Sequence, residues 1–135
     1  MDLRVVTVTA RPGNPWFSEM LSSLAGNMPP GAQHIIVHSS GRTEDWNRDL
    51  WDACAGADAV AVVDDDDRVL PGALARCLAA LDAFDVGLAF TDEEEINAAG
   101  QLLQHAETRQ RSLRDLAMHP SCAAHLATKL VRHFV

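Results

Sequence analysis

Ala57-Asp58-Ala59-Val60-Ala61-Val62-Val63 runs directly into Asp64-Asp65-Asp66-Asp67, and this junction restricts the fold more than any other stretch of the chain. A short run of β-formers with no polar residue after Asp58 suits a strand covered on both faces, as in a sheet sandwiched between helices. The four carboxylates that follow repel one another and resist leaving water, so they belong at the strand's end. In open α/β sheets, ligands bind at the carboxyl ends of strands. Most charge runs are solvated turns with surplus acid. The buried strand on one side and Pro71-Gly72 on the other set this run apart. A cation among the carboxylates would relieve their repulsion, and oxygen-only donors select magnesium or manganese over zinc. An EF-hand loop starting at Asp64 fails, because it needs Gly where Val69 stands and Glu where Ala75 stands.

The rest of the chain alternates strand and helix signals. Leu3 to Thr9 reads as a strand, Ala10 to Pro15 as a loop, and Phe17, Met20, Leu21 and Leu24 as one helix face closed by Gly26 and Pro29-Pro30. His34 to His38 is a second strand ended by Ser39-Ser40-Gly41. Thr43 then suits the cap of a helix with Glu44 and Asp45 in its first turn, reaching about Ala55. After the acids, Pro71 suits the first turn of a helix whose face carries Leu74, Cys77, Leu78, Leu81 and Phe84. Val86 to Phe90 is a fourth strand ending in Thr91-Asp92-Glu93-Glu94-Glu95, and Asn97 to Gly100 is a turn before Gln101-Leu102-Leu103. From Ser112 the spacing predicts a helical tail in two pieces, broken at His119-Pro120, with Leu126, Leu130 and Phe134 four apart. Such alternation predicts a three-layer α/β/α, Rossmann-like domain around a mostly parallel sheet.

At 135 residues the chain makes one domain, with residues 1–100 as core and 101–135 as tail. Its formal net charge of −8 disfavours nucleic acid and anionic membranes as partners. A phosphate-bearing ligand therefore needs a metal or local arginines. Cys54, Cys77 and Cys122 have no metal-binding spacing and read as buried free thiols in a reducing cytoplasm. Neither a signal peptide nor a membrane span is expected.

Asn47-Arg48-Asp49-Leu50, the stretch from Gly56 through the four aspartates to Leu74, and Phe90 to Gly100 together resemble the central segment of family 2 glycosyltransferases. The resemblance is colinear over roughly the first hundred residues, far more than a lone DxD. It implies the GT-A nucleotide-diphospho-sugar transferase fold, a manganese or magnesium cofactor, a UDP-sugar donor and inverting transfer of a hexosyl group. Asp64 and Asp66 would be the two metal-binding aspartates of the DxD motif. One would hold the ion directly, the other directly or through water, or would reach the ribose. Asp65 would point away if the segment is extended, and Asp67 would cap the next helix or support the metal ligands. The resemblance places the base over the first two strand ends, near Thr9-Ala10-Arg11 and His38-Ser39-Ser40, where family members commonly carry an aspartate. Thr9, Arg11, His38, Arg48, Asp64 and Asp65 thus form the expected donor-binding set. The family's general base has no clear counterpart, which leaves Asp92 and Glu93 as the candidate catalytic carboxylates beside the sugar. One of His105, His119 or His125 would complete a metal shell. His125-Leu126 resembles the family's re-entry into the nucleotide domain.

Three functions compete. An active transferase predicts metal-dependent turnover. A binding module that lacks the acceptor half, or takes it from another subunit of a homo-oligomer, predicts binding alone. A magnesium phosphatase of the haloacid dehalogenase type ranks below both, because that family places its aspartates on the first strand, and here they follow the third.

Overall fold

The computed structural model describes residues 1–84, 87–89, 91, 93–106 and 130–132. Three parallel strands form its centre: β1 (Leu3–Thr9) pairs with β2 (Gln33–His38) on one side and with β3 (Ala59–Val62) on the other. β1 is buried on both faces apart from Arg4, as its apolar composition requires. On one face Val5, Ala61 and Val63 pack with Met20 and Leu24 of α1 (Pro15–Ala25) and with Leu74, Cys77 and Leu81 of α3 (Ala73–Phe84). On the other, Val6, Val8 and Val60 meet Cys54, Trp46 and Leu50 of α2 (Thr43–Cys54). The result is the expected three-layer α/β/α arrangement.

Helix ends follow local chemistry. The Asn14 carboxamide oxygen accepts from the Trp16 N–H at 2.9 Å, and Pro15 fills the first helical position of α1. Thr43 does not cap α2: Arg42 stands at the cap with no side-chain bond, and Ser40 supplies the order instead. Its hydroxyl accepts from the Arg42 N–H at 3.2 Å and donates to Asp45 at 2.6 Å. At the far end Arg4 donates to the carbonyls of Ala53 and Ala55, satisfying groups that helix geometry leaves unpaired. Pro71 likewise lies outside α3. With Gly72 at φ +75° it makes a turn closed by Ala73 N–H to Leu70 O at 3.1 Å, and a left-handed residue cannot continue into a helix.

The later strands depart from the sequence reading. β4 is only Leu88–Ala89, and the acidic segment after it is itself a strand, β5 (Glu93–Ile96), paired antiparallel with β6 (Leu102–Ala106). Leu130, read as part of a helix, lies in β7 (Leu130–Arg132), which runs antiparallel between β3 and β4 and gives the sheet order β2-β1-β3-β7-β4. Spacings of four could not reveal a strand whose partners lie so far upstream. The rest of the expected tail, with Cys122, falls outside the described residues. Cys54 and Cys77 are buried free thiols. No described helix is long and apolar enough to cross a membrane.

Candidate functional site

Because β1 and β3 are parallel, Thr9 and Asp64 leave the sheet at the same edge. The Val63 N–H still reaches Val6 O at 3.0 Å, and the chain then reverses: the Asp67 N–H donates to Asp64 O at 3.3 Å. Aspartate favours such turns. The segment is thus not extended, the condition on which Asp65 would point away, and the Asp65 carboxylate accepts a 2.5 Å hydrogen bond from the Thr9 hydroxyl, which in turn accepts from the Arg11 N–H at 3.1 Å. The Ser39 N–H donates to Thr9 O at 2.9 Å, so Thr9, 1 % exposed, ties together the ends of β1, β2 and β3.

Asp64, Asp65 and Asp67 are half-buried, and Asp66 is exposed. Burial first, then the charges of Asp67, Asp66 and Asp65, push the Asp64 carboxyl from its ordinary 3.8 up to about 7. Among the described residues no group of three or more His, Cys, Asp or Glu side chains is arranged to hold a metal. Two hard oxygen donors on a crowded anionic turn still fit magnesium or manganese, because such ions are usually held by one or two carboxylates together with a ligand's phosphates.

The remaining candidates scatter. His38 is exposed at the end of β2, opposite Thr9 in register. Arg11 is exposed, and its side chain makes no ion pair among the described residues. Arg48 is taken up by neighbours on its own helix, 3.1 Å from both Asp45 and Asp49, and the bond to Asp49 foremost raises its already high pKa. Glu93 and His105 are described only as backbone in β5 and β6. Asp92, His119 and His125 lie outside the described residues.

Sequence reasoning missed the support beneath the acids. Glu19 and Ser23 on α1 and Asn27 just beyond its end, four apart in sequence, all grip the segment that follows the acid turn. Arg68 pairs with Glu19, the Val69 N–H donates to the Ser23 hydroxyl at 3.0 Å, and Asn27 bonds Val69 O at 3.3 Å and the Gly72 N–H at 3.2 Å. Polar residues at helical spacing were the signal, but they look the same as a solvated helix face.

The fold has solved counterparts. S. aureus TarS 1-349 in complex with UDP-GlcNAc matches with a TM-score of 0.56 and 18 % identity, over 75 % of this chain and 37 % of that one. The chain has a glycosyltransferase-like fold. A second crystal structure of TarS 1-349 matches with a TM-score of 0.57 and 15 % identity, over 98 % of this chain and 47 % of that one. The chain thus spans less than half the length of the glycosyltransferase structures it matches. No family model and no curated protein matches it.

Proposed function

We propose that this domain binds a nucleotide-diphosphate sugar, a UDP-sugar first among them, and serves inverting transfer of the sugar to an acceptor hydroxyl. The observation that carries the reading is the acid turn Asp64–Asp67, half-buried at the carboxyl ends of β1 and β3 in a fold shared with glycosyltransferases. Asp64 and Asp66 would hold magnesium or manganese. Such an ion would offset the negative charge that gathers there and stabilise the leaving nucleoside diphosphate. Asp65 does not need to face the ion, since Thr9 fixes it beside the nucleoside end of the site. Thr9, Ser39 and Arg11 line the strand ends where the base would rest, and Arg11 is the cation available to the diphosphate. Asp92 or Glu93 would take the acceptor proton.

A second reading has its own support. The chain spans 37 % and 47 % of the matched glycosyltransferase chains. On that reading the domain binds donor and metal, while the acceptor side comes from a second copy or another protein.

A thermal-shift panel of nucleoside diphosphates and their sugars, each with manganese and with chelator, tests the common core, since a ligand that binds only the native state raises the melting temperature. A manganese-dependent rise with one nucleotide is expected. Identical melts across the panel would sink donor binding. Release of nucleoside diphosphate with an acceptor mixture would then separate transferase from binding module, and light scattering would test the second copy.

A further inference from the structure

Arg68 follows the acid turn in sequence, yet its side chain leaves it. The guanidinium donates through Nε at 3.1 Å, and also through Nη2, to Glu19 on α1. It also lies against the tip of the β5–β6 hairpin. A Cβ placed on Gly100 would stand 3.0 Å from both terminal nitrogens of Arg68 and 3.4 Å from its central carbon. Gly100 has φ +76° besides, so this position favours glycine for conformation, and a side chain there would press on the Arg68 guanidinium. The tip is well ordered by its own bonds. The Gly100 N–H donates to Asn97 O at 2.8 Å, and the Asn97 carboxamide oxygen accepts from the N–H groups of Ala99 and Gln101 at 3.0 Å each.

The pair is too exposed to act chiefly through stability. Arg68 and Glu19 side chains are 40 % and 46 % exposed, and solvent-exposed ion pairs contribute little to folding. The planar guanidinium can bond a carboxylate and still lie against a backbone, which a lysine ammonium cannot do.

We propose that Arg68 is a positioning residue, a clamp that fixes the acid turn and the hairpin tip to one another through Glu19. Its consequence rests on the donor-site reading: the two acidic segments assigned there, Asp64–Asp67 to the diphosphate and Glu93, at the start of β5, beside the sugar, are held at one separation.

Hydrogen exchange of the full chain, followed by mass spectrometry over residues 64–69 and 97–101, tests the clamp directly. Arg68→Ala should speed exchange in both segments by about tenfold, as expected when a local closing contact is lost. Arg68→Lys, which can pair with Glu19 but offers no flat face, should restore 64–69 and leave 97–101 fast. Faster exchange in one segment only, or in neither, for Arg68→Ala overturns the proposal. Should Arg68→Ala fail to fold, Glu19→Gln and Gly100→Ala carry the same two readouts. Manganese-dependent affinity for a UDP-sugar should weaken by roughly five- to tenfold in Arg68→Ala and stay weakened in Arg68→Lys, which leaves the hairpin tip loose, within the range of residues that orient ligands indirectly. Unchanged affinity in Arg68→Ala overturns the positioning role. A parent chain that ignores manganese and the UDP-sugar overturns the donor-site reading instead, and the exchange data still decide the clamp.

Discussion

Two acidic runs of this chain meet different fates. Asp64–Asp67 folds back as a turn at the end of a strand buried on both faces, held by Thr9 on one side and followed by the α1-gripped segment on the other. Glu93–Ile96 is itself a strand, its backbone paired to β6 and its Glu94 and Glu95 side chains exposed. Charge density is similar in both. What differs is the company: short aspartates behind an apolar strand are drawn partly out of water, which lifts Asp64, whereas glutamates on a two-stranded ribbon remain in it. Acidity becomes a candidate site where burial makes it costly.

The sharpest way to break this comparison is to neutralise one carboxylate in each run. Asp66→Asn is expected to remove manganese-dependent UDP binding, a loss beyond the ~10–100-fold that indirect supports of a metal cost, with the melting temperature kept or raised. Glu94→Gln should leave binding unchanged in the same calorimetric titration. If Asp66→Asn binds like the parent, the site is misplaced. Next in size, Thr9→Val removes the hydroxyl that Asp65 and the Arg11 N–H both use, at a cost of about 1–3 kcal/mol in urea unfolding. Glu94→Gln, on the exposed run, should stay within about 0.5 kcal/mol. Equal costs would mean that the aspartate turn is no better supported than the hairpin. Gly72→Ala should cost about 1–2 kcal/mol through left-handed backbone strain alone, because the nearest atom to the new methyl is Arg76 Nε at an ordinary 3.7 Å. A thermal melt without loss would show that the turn behind the acids can relax.

The same comparison extends to pH. Asp64 keeps its proton in the folded state up to about 7, whereas the unfolded chain loses it near 3.8. Between those values the native state binds more protons, so this group makes stability fall as pH rises from 4 to 7 and level off above. His34, whose pKa burial lowers, acts in the opposite direction, costing stability as pH falls through its ordinary 6.5. The difference between parent and Asp64→Asn melts isolates the carboxyl. A pH-independent difference would sink the assignment.

Much of the framework could be read from the sequence because burial writes it there. The β-branched runs of β1 to β3 and the fourfold spacing in α1 and α3 sit where their periodicity places them. Local chemistry was harder to read. Thr43 and Ser40 are both competent near a helix start, and in the structure Ser40, followed by the left-handed Gly41 at φ +84°, is the one that bonds Asp45. Asp65 meets Thr9 where a turn, not an extended strand, follows Val63. The support from Glu19, Ser23 and Asn27 left no distinctive trace, since residues that bond a distant backbone have the same character as residues that bond water.

Leu130–Arg132 sits between β3 and β4, and this insertion has a consequence for the chain as it is made. Among the described residues nothing else pairs with that edge of β3, so the strand waits for its partner until residue 132 has been added. Contacts so distant in sequence form slowly, after a long loop has closed. Through that interval Ala59–Val62 is an apolar edge open to pairing with other chains, which is the usual start of aggregation. Four negative charges directly behind it repel any neighbour that approaches in register, as gatekeeper residues do beside unavoidable hydrophobic strands. The aspartates would then guard the nascent strand before there is a site for them to form.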